Sequence, residues 1–118
     1  MDILFLLRSD FVDKHRDDEN KLYYCPDCAF MEGVLAYHPK LRYQLDIRYI
    51  DYPHPRQAIV DFIGEGKHGC PHLILDSNNR DYAEGKDFKI NNGIYHTQDN
   101  KLIADYLTER YGIAIAHY

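Results

Sequence analysis

The chain has 118 residues, 45% of them hydrophobic and 28% charged, which suffices for one hydrophobic core and not for two. Its 14 basic against 19 acidic side chains leave a net charge of -5, so the electrostatic footprint of a nucleic-acid binder is missing, and no basic amphipathic face points to a membrane surface. The odd count of three cysteines excludes a disulfide framework and sets the expectation of a reducing, cytoplasmic setting.

The apolar run in "MDILFLLRSD" lies between Asp2 and Arg8, too short and wrongly flanked for a signal peptide or a membrane span. Residues 2–7 therefore read as a buried first strand. "RSDFVDKHRDDEN" has no apolar period and reads as exposed loop, the start of an extended loop over residues 8–24. From Pro26 onward Phe30, Met31, Val34, Leu35 and His38 fall on one helical face, and Pro39 marks the stop. Residues 43–52 alternate Leu45, Ile47 and Tyr49 against Asp46, Arg48 and Ile50, as a strand does, and "YPHP" breaks them. Ile59, Val60 and Ile63 give residues 56–63 a helical face that ends at "GEG". Pro71 opens a third strand through Asp76. Residues 77–92 are polar, with "INNG" as a hairpin tip before the short strand "GIYHT". Asp99 then opens a last helix carrying Leu102, Ile103, Tyr106 and Leu107, with Gly112 just past its end.

The order β-α-β-α-β-β-α describes one α/β domain over residues 1–118. A right-handed crossover would join a first parallel pair, an antiparallel half would follow, and helices would cover both faces of a mixed four-stranded sheet.

Chemistry concentrates at Cys25-Pro26-Asp27-Cys28. Disulfide exchange needs a thiolate and a second thiol near enough to displace it. A helix start meets that need: Cys25 near the N-cap, Pro26 at the first helical position and Cys28 one turn in. The unpaired N–H groups and the positive dipole end favour thiolate at Cys25, while Asp27 places negative charge beside it.

The placement of "CPDC" after one strand, opening a helix inside β-α-β, resembles the thioredoxin fold in its glutaredoxin-like and glutathione-transferase-N-domain-like branch. That resemblance implies a cis-proline at Pro71 facing the cysteine pair, with the Cys70 backbone exposed to a peptide or glutathione. It also implies protein or glutathione disulfides as partners, glutathione as the thiol cofactor where one serves, and no further cofactor. "DNKLIADYLTERYG" resembles the glutathione-transferase helix of the form A-I-x-x-Y-L-x-x-x-Y-G. Asp99 and Asn100 fall where that family binds the γ-glutamyl end of glutathione, although Asn100 stands where the family has serine. Both residues are equally favoured as helix caps. From "YYCPDCAFMEGVLAYHPKL" through "PHPRQAIVDFIGE" to "YLTERYG", the chain resembles a bacterial family of short thioredoxin-like proteins catalogued as a domain of unknown function.

Three departures qualify the likeness. The loop at residues 8–24 is far longer than in thioredoxin or glutaredoxin and would lie over the motif. The length leaves no room for an all-helical second domain. Cys70 stands before Pro71, where redox members carry threonine, valine or isoleucine. With His68 and His72 beside it, Cys70 could complete a zinc or iron–sulfur ligand set with Cys25 and Cys28. It could equally be a small buried hydrophobe or a further thiol. The remaining histidines, His96 included, have no partner spacing and read as surface or strand-end residues. Three functions therefore stand: a thiol–disulfide oxidoreductase using Cys25 and Cys28, a metal-binding protein adding Cys70, and a non-catalytic interaction domain.

Overall fold

The computed structural model describes residues 1–16 and 21–118. The first apolar run forms β1 (Ile3–Leu7), an interior strand of a five-stranded mixed sheet. On one side β1 pairs in parallel with β2 (Asp46–Ile50), in the register Ile3 to Asp46 through Leu7 to Ile50. On the other it pairs antiparallel with β3 (His72–Ile74). The antiparallel half continues through β5 (Ile94–Thr97) to β4 (Lys89–Asn91) at the edge, giving the order β2-β1-β3-β5-β4.

The sheet thus has five strands where four are expected. All three residues of β4 are exposed, so it carries no apolar alternation to announce it. Its pairing comes from the turn instead. Asn92 (φ 53°) and Gly93 (φ 74°) both adopt the left-handed conformation that a two-residue hairpin loop demands. The hairpin tip expected at "INNG" is there, and it has a strand on each side.

Among the described residues, four α-helices accompany the sheet: α1 (Pro26–Tyr37), α2 (Leu41–Gln44), α3 (Gln57–Ile63) and α4 (Asn100–Tyr111). A 3₁₀ helix spans Ser77–Ala83. Helix α2 takes the start of the segment expected as strand from residue 43. Leu41 N–H bonds to His38 C=O and Arg42 N–H to Pro39 C=O, so the chain turns once more before Asp46 enters the sheet.

Alternation along the strands supplies a core on each face. Leu4, Leu6 and Leu73 pack with Met31 and Leu35 of α1 and Ile103, Tyr106 and Leu107 of α4. Ile3, Phe5 and Ile74 pack with Ile59 and Ile63 of α3. Phe30, expected on the inner face of α1, keeps 37% of its surface exposed, whereas Met31 and Leu35 are fully buried in the core beside the sheet. Among the described residues no helix is long and apolar enough to cross a membrane.

Asp2, fully buried just before β1, ties the other end of the sheet together. Its Oδ1 accepts from Asp76 N–H (2.7 Å) and Asn79 Nδ2 (3.1 Å), and its Oδ2 from the hydroxyls of Tyr106 (2.5 Å) and Tyr111 (2.6 Å). Burial, and then the bond to Asp2, push both phenols up from their ordinary range. Four donors converging on one carboxylate compensate its desolvation. Asp2→Ala orphans all four and is expected to cost about 3 kcal/mol, against about 1 kcal/mol for Tyr111→Phe, which removes a single bond. Urea unfolding checks this, and equal midpoints for wild type and Asp2→Ala would show that the carboxylate is not the tie.

Candidate functional site

At the opposite end of β1, the N-terminus of α1 presents the cysteine pair. Cys25 adopts an extended N-cap conformation (φ -81°, ψ 115°), with Pro26 next at the start of the helix and Asp27 in its first turn. The Cys25 Sγ accepts the Cys28 N–H at 3.1 Å, so the thiol itself is the cap. Cys25 is half-buried and Cys28 only 4% exposed, its sulfur accepting Leu7 N–H at 3.5 Å. Cys25 Sγ donates to the Cys70 carbonyl, also at 3.5 Å. All three cysteines are free thiols. Burial, then contact with Cys25, raises the Cys28 pKa; burial pushes the Cys70 thiol up to about 11, with Arg56 opposing.

Two grooves of about 220 and 260 Å³ flank Cys25. Phe11, Arg16, Tyr23 and Tyr52 wall the first; Cys28, Glu32 and Tyr49 line the second; Tyr24 borders both. The loop at residues 8–24 supplies much of the first wall. Its two arms join through an antiparallel bridge between Phe11 and Tyr23, and Phe11 stacks on Tyr52 with ring centroids 4.3 Å apart. The loop was expected to lie over the motif. Its described arms stand beside Cys25 and leave that thiol partly exposed; residues 17–20 lie outside the described residues.

The segment that faces Cys25 is held residue by residue. The Cys70–Pro71 bond is cis, and Pro71 is buried where the chain enters β3. Three consecutive carbonyls accept from side chains: His68 O from Arg56 Nη1 (2.7 Å), Gly69 O from His72 Nδ1 (3.1 Å) and Cys70 O from Cys25. Gly69 N–H donates to Gln98 Oε1 at 2.8 Å. Arg56 also grips Tyr52 O through Nε (3.1 Å) and Nη2 (2.7 Å), which joins the approach to α3 to the loop before β3.

His15, His54 and His117 are exposed, as expected, and His96 stands near the end of β5. His96 departs from expectation in being only 4% exposed and in having a partner: its Nδ1 lies 2.9 Å from His72 Nε2. The sheet register explains the pair. His96 stands opposite Ile74, so His72, two residues earlier, is its diagonal neighbour on the same face. His72 Nδ1 lies 3.1 Å from Gly69 O, a carbonyl that can only accept, and His96 Nε2 lies 2.6 Å from Asn91 Oδ1, so the two rings are held from both ends. His68 Nε2 is engaged with Gly64 O at 2.7 Å. Among the described residues, no group of three or more His, Cys, Asp or Glu side chains is arranged to hold a metal ion.

Asp99 is a helix cap: its Oδ1 accepts from Lys101 N–H (2.9 Å) and Leu102 N–H (3.3 Å). Asn100 Oδ1 is buried without a hydrogen-bond partner. Sequence reading named Cys25, Cys28, Cys70 and Pro71, and these four meet. It passed over Arg56 as a site residue, the His72–His96 pair and Gln98, because each acts through backbone or register that no local pattern reveals.

The family described as "Protein of unknown function (DUF3088)" matches residues 1–115. The chain belongs to this family. No curated protein and no solved structure matches it. Family membership thus covers nearly the whole chain, and the chemistry of this DUF3088 member has to be read from its own site.

Burial lowers the His72 pKa to about 4, below the usual 6.5, and His96 is lowered for the same reason. The folded protein therefore favours neutral His72. That stability is complete above about pH 6.5 and is lost as the pH falls towards 4. Between pH 7 and 4.5 the wild type should lose roughly 2 kcal/mol more than His72→Phe in urea unfolding. Parallel pH profiles for the two proteins would show that His72 does not carry the effect.

Proposed function

We propose that this protein is a thiol–disulfide oxidoreductase in which Cys25 is the nucleophile and Cys28 the resolving thiol. One observation carries the reading: the Cys25 sulfur receives the Cys28 N–H at the start of α1, faces the Cys70 carbonyl and remains partly exposed, while Cys28 is buried behind it. A thioredoxin-like arrangement agrees with the sheet order β2-β1-β3-β5. Its first pair is parallel, the others are antiparallel, and helices cover both faces. On this reading β4 is an addition at the edge.

The reaction balances without a further cofactor. Cys25 thiolate attacks one sulfur of a substrate disulfide, a Cys25–substrate bond forms, and the other substrate sulfur leaves as thiolate. Cys28, once deprotonated, attacks the Cys25 sulfur; the intramolecular disulfide forms and the second substrate thiolate leaves. The substrate gains two electrons and the protein loses two. Protein disulfides and glutathione disulfide are the partners this chemistry admits. The grooves beside Cys25 offer aromatic walls to a flanking chain.

Redox titration followed by alkylation and intact mass tests the proposal. One reversible Cys25–Cys28 disulfide is expected at roughly -180 to -270 mV, the span of thioredoxin and disulfide-isomerase catalysts. Cys25→Ser should abolish exchange, and Cys28→Ser should accumulate a mixed disulfide. Undiminished exchange in Cys25→Ser would overturn the mechanism. Running the titration against glutathione and against a protein disulfide separates the two partner classes.

A further inference from the structure

We propose that Gln98 is a positioning residue of the Cys25 site, holding the His68–Gly69 peptide so that the Cys70 carbonyl faces the Cys25 thiol. The inference builds on the oxidoreductase reading only in taking Cys25 as the reacting group.

The peptide between His68 and Gly69 is gripped at both ends, its C=O by Arg56 at 2.7 Å and its N–H by Gln98 at 2.8 Å. The next carbonyl, Gly69 O, is held by His72, and the one after, Cys70 O, receives Cys25. This segment precedes β3, so no strand ladder fixes the orientation of its peptides. Side chains do that work, and Gln98 supplies the acceptor for the Gly69 N–H.

The glycine at 69 leaves room for that contact. A Cβ there would stand 3.1 Å from Gln98 Oε1 and 3.3 Å from its Cδ, so the carboxamide lies directly against the backbone. Gln98 has a firm base from which to reach. Thr97 ends β5, Asp99 N–H bonds to Thr97 Oγ1 at 3.1 Å, and Asp99 caps α4. Gln98 itself is exposed, so its replacement leaves both cores intact.

The two contacts of the Cys25 sulfur act in opposite senses. The Cys28 N–H stabilises a thiolate, whereas a carbonyl oxygen accepting from S–H stabilises the protonated thiol. The Cys70 carbonyl is therefore a brake on the resting nucleophile, and Gln98 helps to hold the brake in place.

The test is the alkylation rate of Cys25 by iodoacetamide, resolved by peptide mass, at pH 7 and at its alkaline plateau. In Gln98→Ala the ratio of neutral to plateau rate should rise about two- to fivefold, the worth of one ordinary hydrogen bond, with the plateau itself unmoved. Gly69→Ala, which pushes the carboxamide away, should do the same. Gln98→Glu keeps an acceptor for the Gly69 N–H while its charge disfavours the thiolate, so its ratio should not rise above the wild-type value. An unchanged ratio in both alanine variants overturns the proposal. So does a rise of neutral and plateau rates together, which would mean that the site has merely opened. The outcome is independent of the redox titration: absence of a Cys25–Cys28 couple would remove the oxidoreductase reading while leaving this result to stand or fall alone.

Discussion

The buried Asp2 carboxylate joins the start of β1 to two regions of the chain that are remote from it in sequence. It binds the end of β3 through Asp76 N–H, the 3₁₀ helix through Asn79, and α4 through Tyr106 and Tyr111. Arg110 extends the network by donating to Asn79 Oδ1 at 2.8 Å, and the terminal amine adds an ion pair to Asp76 at 2.7 Å. An isolated carboxylate in such a place would be strongly unfavourable, so the four donors and the anion require one another. β1 then runs from this tie towards the cysteine pair and supplies the Leu7 N–H that meets Cys28. The same anchorage holds α4 against the segment that follows β3.

The two ends of the sheet solve different polar problems. At the Asp2 end one anion collects donors. At the Cys25 end a run of backbone carbonyls collects them, from Arg56, His72 and Cys25 in succession. A loop entering an interior strand cannot leave its polar groups bare. Here the side chains that satisfy them come from three elements, so the segment facing the thiol is fixed by tertiary structure and not by its own local sequence.

That division explains what could be read in advance. The strand at residues 2–7, α1 with its cysteine cap, α3, α4 with its Asp99 cap and the hairpin tip all follow from local patterns: apolar period, Pro26, Gly93 and Gly112. β4 did not, because exposed Lys89, Ile90 and Asn91 have no buried face. Nor did α2, whose four residues form a turn too short for any helical period. Cys25 and Cys28 were legible through chemistry and spacing, and Cys70 and Pro71 through the resemblance to the thioredoxin fold. The His72–His96 pair would have required the register of β3 against β5, and Gln98 carries no mark beyond standing before a cap.

Three cysteines equivalent in the sequence become three different chemical groups. Burial raises Cys28 and Cys70 alike, which holds both as thiols near neutral pH. Cys25 alone combines partial exposure, a backbone N–H on its sulfur and grooves on either side of it. In an exchange mechanism that ranking sets the order of events. The exposed sulfur attacks first, and the buried one answers only when the mixed disulfide has consumed its neighbour. The uneven burial of Cys25, Cys28 and Cys70 thus fits an ordered use of the thiols, the accessible sulfur before the buried one.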